Sequence, residues 1–249
     1  MASVLITGAN RGIGFELVKH ILKENGPLKT IIATYRNLES SSELLELKKK
    51  HNNLHVLKLD VSDLNSFQSF AQEVESIVKE NGLNVLINNA GVITDSKYED
   101  FKNITHQEYL RVFTTNVFAP IFLCQTFLPL LKMAAKKNSD KPQGITRCVV
   151  INVSSLLGSL TDNVGGKFWA YRESKTALNM FSKNLAKELS SDGIVVIALH
   201  PGHVRTNMGG PSGKISTEES VSGIYKVMLS LNESKTDKFL QWDGKELPW

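Results

Sequence analysis

The stretch Ser3-Val4-Leu5-Ile6-Thr7-Gly8-Ala9-Asn10-Arg11-Gly12-Ile13-Gly14 decides the fold. Its first five residues form an apolar run that reads as a strand. Beyond it, Ile13, Leu17 and Ile21 recur at helical spacing, with Val18 and Leu22 beside them and Glu16, Lys19 and Lys23 on the opposite face. The glycines occupy the turn between strand and helix. Gly8 permits the tight turn, Gly12 lets a ligand approach the backbone, and Gly14 lets helix and strand pack closely. The N-terminus of that helix offers unpaired N–H groups and a positive dipole end to a phosphate. Many strand–helix turns use glycine, and the spacing is not the common G-x-G-x-x-G. The position, between the first strand and the first helix, is what favours a phosphate loop over a plain turn.

The alternation continues outward. Gly26-Pro27 breaks the first helix. Strands are expected at Thr30–Thr34, Leu54–Leu59, Val85–Ile87, Cys148–Val153, Ile194–Leu199 and Phe239–Trp242. Helices are expected at Glu39–Lys50, Asp63–Glu80, Thr105–Ala135, Trp169–Ser190 and Thr217–Leu231. Pro120 and Pro129 lie in the long helix, and one of them should mark a kink. Alternating units predict an α/β fold: a doubly wound, mostly parallel seven-stranded sheet of order 3-2-1-4-5-6-7, with helices on both faces. Such sheets bind ligands at the carboxyl ends of their strands. Val92–Asn103 and Pro201–Ser216, which follow strands four and six, are therefore the candidate functional loops. No repeat or linker divides residues 1–249, so one domain is expected.

Composition excludes several classes. Of 249 residues, 41% are hydrophobic and 22% charged, as in ordinary globular proteins. The net charge of +4 is too small and too scattered for a nucleic-acid binder. Cys124 and Cys148 sit in apolar runs without metal-ligand spacing, so both read as buried hydrophobes and no metal is expected. No signal peptide and no membrane span are read from the chain, and a cytoplasmic location is expected by default.

Two arginines bear on the cofactor. NAD sites place an acid near the end of strand two to hold the ribose 2′-OH. Here that position reads Thr34-Tyr35-Arg36. Arg36 could fork onto a 2′-phosphate, with Arg11 as a second cation, which favours NADP(H). The alternative is that both are ordinary surface arginines.

Tyr171 and Lys175 are four apart, so on a helix they share a face. A tyrosine is a weak acid–base group at neutral pH. A neighbouring ammonium should lower its pKa and fit it to protonate a developing alkoxide. Alone, such a pair is a chance occurrence.

Its company gives it weight. Thr7-Gly8-x-x-x-Gly12-x-Gly14, Asp60-Val61, Asn88-Asn89-Ala90-Gly91, Asn116, Ser154-Ser155, Tyr171-x-x-x-Lys175 and Pro201-Gly202 follow one another along the chain. In this order they resemble the short-chain dehydrogenase/reductase family from end to end. Leu130 to Lys136, His200 to Gly210 and Asp243 to Trp249 narrow the likeness to the sniffer-type carbonyl reductases. The resemblance implies catalytic roles for Asn116, Ser155, Tyr171 and Lys175. Tyr171 would protonate a carbonyl oxygen, Lys175 lower its pKa and hold the nicotinamide ribose, Ser155 hold the substrate oxygen, and Asn116 serve a water relay. It implies a cofactor cradle of Gly8, Asn10, Arg11, Gly12, Ile13, Gly14 and Arg36. Asp60 and Val61 would meet adenine, and Asn88, Ala90 and Gly91 would line the adenosine ribose side. Pro201, Gly202, Val204 and Thr206 would border the carboxamide. Substrate contacts are expected from Val92, Ile93, Trp169, His203 and Met208, around an apolar pocket for a small carbonyl compound. Ser155 and Tyr171 stand 16 positions apart, which leaves Thr161–Lys167 as an extra loop at the substrate mouth. The reaction expected is NADPH-dependent carbonyl reduction. The alternatives are an alcohol or hydroxysteroid dehydrogenase of the same family, or a non-enzymatic NADP(H)-binding sensor. A homodimer through the long helices is expected slightly over a monomer.

Overall fold

Each apolar run forms a strand because only a sheet buried on both faces accommodates it. In a computed structural model that describes residues 2–98 and 100–249, these are β1 (Ala2–Ile6), β2 (Leu28–Tyr35), β3 (Leu54–Lys58), β4 (Val85–Asn88), β5 (Val149–Val153), β6 (Val195–His200) and β7 (Lys238–Gln241). Met1, and Glu99 within the Val92–Asn103 loop, lie outside the described residues. The sheet runs β3-β2-β1-β4-β5-β6-β7, parallel at every pairing. Its order switches between β1 and β4, where a ligand crevice is expected.

Side chains of one strand alternate between the two faces. Val4 and Ile6 join a core with α1 (Gly12–Lys23), α2 (Ser42–Lys50) and α7 (Thr217–Ser230). Leu5 points to the other core, built on α3 (Phe67–Val78), α5 (Ala119–Lys137) and α6 (Trp169–Glu188). Cys124 and Cys148 are both buried and free, and burial pushes the Cys124 thiol up to about 12.

The expected long helix is interrupted. It comprises α4 (His106–Phe113), a π turn (Thr114–Phe118) and α5. Pro120 sits in the first turn of α5 and Pro129 inside it. The ring of Pro120 would strike the carbonyl of Asn116 in a regular α-helix. A wider i→i+5 turn ahead of the proline relieves that clash. Residues 106–137 are also long and apolar enough, by composition, to cross a membrane, a stretch that the sequence reading missed. Half of that window is buried against the rest of the domain.

Candidate active site

The glycine turn is held open by its surroundings. Gly8 has φ +62°, and a Cβ there would meet Ala90 Cα at 3.0 Å, so only glycine fits. The Gly8 N–H donates to Thr34 Oγ1 at 3.1 Å. Asn89 Nδ2 donates to the carbonyls of Thr7 (2.8 Å) and Gly8 (3.1 Å). Thr7 Oγ1 accepts from the N–H groups of Asn89 and Ala90. The phosphate turn and the end of β4 are thus one braced piece. Arg11 occupies the N-cap of α1 without a side-chain capping bond, which leaves the first turn free to bind an anion. Asn10 donates to Ser40. Ile13, partly buried, packs on the first core. Arg36 is exposed, at the lip of a cleft shared with Ser62, Val92, Arg111 and Thr115. Asp60 Oδ1 accepts from the Ser62 N–H and hydroxyl, and Val61 is buried beside it. A positive-φ glycine turn, an uncapped helix end and an exposed guanidinium suit a phosphorylated dinucleotide.

Opposite this cradle, β6 is followed by Pro201-Gly202. Thr206 reaches back, its Cγ2 lying 3.6 Å from where a Gly12 Cβ would be. Val204 is buried and bridges Ile215. His203 is exposed, and its Nε2 stands 2.9 Å from the Gly209 carbonyl, so it ties the loop closed. Met208 is exposed on the same loop. Trp169 opens α6 and packs on Phe101, ring centroids 4.8 Å apart.

The catalytic candidates converge where β4 and β5 end. Tyr171 and Lys175 lie on the inner face of α6, both buried. Lys175 Nζ donates to the Val153 carbonyl at 2.8 Å and sits 5.7 Å from the Tyr171 ring centroid. Ser155 hydrogen-bonds the Tyr171 phenol. Its neighbour Ser154 is turned away, donating to Asn179 Oδ1 at 2.6 Å, so the two serines have separate tasks. Asn116, fully buried in the π turn, accepts from the Val92 N–H at 2.9 Å and donates to the Val92 carbonyl at 2.8 Å and to Ser174 Oγ at 3.0 Å. Gly91 keeps the space beside Asn116 and Lys175 clear: a Cβ there would lie 3.4 Å from Asn116 Oδ1 and 3.7 Å from Lys175 Nζ. Asn88 points away from the site, donating to Asn152 Oδ1 at 2.8 Å.

The electrostatics differ from the sequence expectation. Burial pushes the Tyr171 phenol up, with the Ser155 bond pulling the other way. Burial also depresses Lys175, to about 8. The ammonium is directed at a carbonyl, and the dry surroundings disfavour both charged forms. The phenol is therefore held neutral, the form that can donate a proton.

The Thr161–Lys167 loop is exposed throughout and pinned at both ends. The Trp249 backbone oxygen accepts from the Thr161 N–H (3.2 Å) and hydroxyl (3.0 Å). Arg172 Nε donates to the Gly166 carbonyl at 2.8 Å. Gly166, Lys167 and Phe168 all have positive φ, a left-handed passage into α6.

Sequence reasoning missed Thr94, whose hydroxyl accepts the Tyr171 N–H at 3.1 Å, and the pair Glu108 and Arg111 beneath it. Thr105-x-x-Glu108, a capping-box spacing, was the available signal for Glu108.

A model of the short chain dehydrogenases matches residues 2–215. The structure is similar to the carbonyl reductase Sniffer of D. melanogaster: TM-score 0.97, 40% identity, all of both chains covered. It is similar to the NADPH-bound carbonyl reductase from chicken fatty liver: TM-score 0.93, 39% identity, 100% of this chain and 99% of the other. A Schizosaccharomyces pombe protein described as an uncharacterized oxidoreductase is 32% identical over 98% of this chain and 96% of its own length.

Proposed function

The chain belongs to the short-chain dehydrogenases, and on that premise we propose that it is an NADPH-dependent carbonyl reductase. The convergence of Ser155, Tyr171, Lys175 and Asn116 beside the glycine turn carries the reading. The likeness to two carbonyl reductases, one of them NADPH-bound, supports it.

The cradle from Gly8 to Gly14 would receive the pyrophosphate, Arg11 and Arg36 the 2′-phosphate, and Asp60 and Val61 the adenine. Asn88, Ala90 and Gly91 border the adenosine ribose, and Pro201, Gly202, Val204 and Thr206 the carboxamide. NADPH held there would supply the hydride for the carbonyl carbon. Ser155 orients the carbonyl oxygen. Tyr171, neutral because it is buried, donates its phenolic proton to that oxygen as the alkoxide develops. Lys175 would hold the nicotinamide ribose and, as the ammonium that it is below about pH 8, stabilise the phenolate left behind. Asn116 lines the route by which the proton returns. Val92, Ile93, Trp169 and Met208 form an apolar wall around a small carbonyl compound. His203 acts there through the loop that it ties closed.

The test is NADPH oxidation against a panel of aldehydes, ketones and quinones, with Tyr171→Phe and NADH in parallel. Turnover that needs the tyrosine and prefers NADPH is expected. Equal rates for wild type and variant would reject the reductase reading. Equal use of NADH would reject the role of the arginines.

A further inference from the structure

The segment Val92–Asp95 belongs to no helix or strand, yet each of its residues is held by a hydrogen bond from outside it. Val92 is held through both backbone groups by Asn116. The Ile93 carbonyl accepts from an Arg111 terminal nitrogen at 2.7 Å. Thr94 Oγ1 accepts the Tyr171 N–H. The Asp95 N–H donates to Glu108 Oε1 at 2.8 Å. Glu108 and Arg111 are joined by two further bonds, Nε to Oε2 at 2.8 Å and a terminal nitrogen to Oε1 at 2.7 Å.

Glu108 is only 4% exposed. A buried carboxylate is costly unless it is paired and hydrogen-bonded, so one tends to persist where it has a task. Thr105 already caps α4, its Oγ1 accepting the Glu108 N–H. In an ordinary capping box the Glu108 carboxylate would turn back to the Thr105 N–H. Here it reaches out of the helix to Asp95. Arg111 beside it holds the carboxyl below its usual range.

We propose that Glu108 and Arg111 are positioning residues, a clamp that sets the Ile93–Asp95 wall and, through Thr94, the seat of Tyr171. The proposal rests on the reductase reading for its consequence in turnover, but the clamp itself can be measured without turnover.

The double variant Glu108→Leu/Arg111→Leu removes both charges together, so no unpaired charge is left in the interior. It should melt close to wild type. Its Asp95 and Tyr171 amides should exchange with solvent about tenfold faster or more, while the Val92 amide, held by Asn116, keeps its rate. The kcat/KM for a carbonyl substrate should fall on the order of 10- to 100-fold, the range expected for a displaced catalytic group. Wild-type exchange at both amides would overturn the clamp. Faster exchange with kcat/KM within about twofold of wild type would overturn the positioning role. If the double variant does not fold, Arg111→Lys decides, because it keeps the ion pair but lacks the guanidinium fork that spans Glu108 and the Ile93 carbonyl. A several-fold drop in kcat/KM is then expected, and no drop overturns the proposal. If wild type turns over no carbonyl, the reductase reading fails, and the exchange rates still judge the clamp.

Discussion

Lys175 makes the protein less stable at neutral pH, and Lys175→Met should show by how much. Burial lowers its pKa from 10.5 to about 8. Between those values the unfolded chain binds a proton that the folded chain does not, so stability rises with pH across that window. Below about pH 8 both states are protonated and the folded state carries the full cost. The gap from 10.5 down to about 8 corresponds to a cost of about 3 kcal/mol. Methionine keeps the straight chain and drops the charge. It also drops the bond to the Val153 carbonyl, worth about 1 kcal/mol. The variant should therefore be more stable than wild type by about 2 kcal/mol at about pH 7, a Tm rise of about 4–8 °C. At about pH 9.5 only about one unit of the cost remains, and the lost bond cancels it. Above the ordinary lysine pKa, wild type should be the more stable. The assay is denaturant unfolding, without added nucleotide, followed by circular dichroism across this pH range. A stability gap that ignores pH, or a variant weaker than wild type at about pH 7, would refute the reasoning. The same variant should lose carbonyl turnover, trading function for stability.

Three other outcomes are expected. Tyr171→Phe should lower kcat by about 10²–10⁴ with little change in NADPH affinity, since it removes one proton and little volume; titration of NADPH fluorescence separates the two effects. Arg36→Asp should weaken NADPH relative to NADH by roughly 10-fold or more, as a charge-assisted fork is replaced by repulsion; an unchanged ratio of kcat/KM values would remove Arg36 from the cofactor site. Gly8→Ala should destabilise by at least about 1 kcal/mol, because alanine is strained at φ +62° and its methyl group meets Ala90; a Tm equal to wild type would show that the turn can relax.

The strand order, and the residues that the fold brings together as a candidate site, were legible because they depend on period, spacing and residue type. A buried parallel strand has to be an apolar run, and a phosphate turn has to contain glycine where φ is positive. What stayed hidden depends on three-dimensional approach. The break before Pro120 comes from one ring meeting one carbonyl a turn earlier. The raised Tyr171 pKa comes from burial, which four-residue spacing does not report. The same spacing suggested a phenol lowered by its lysine, but Lys175 is turned to Val153. Residue type and spacing do not report that Glu108 is buried; its 4% exposure does. The bond from His203 to the Gly209 carbonyl, within its own loop, was equally invisible in the sequence.

The pinned Thr161–Lys167 loop has an evolutionary corollary. Its anchors are the oxygen of Trp249 and the guanidinium of Arg172, and neither contact uses a side chain from Asp162 to Lys167. Outside Gly166 and Lys167, whose positive φ restricts them, and Asn163, whose Oδ1 accepts the Gly166 N–H at 3.2 Å, these residues can be rewritten by mutation without loosening either mooring. A duplicated gene could diverge there towards new carbonyl compounds while inheriting the proton donor and the dinucleotide cradle unaltered.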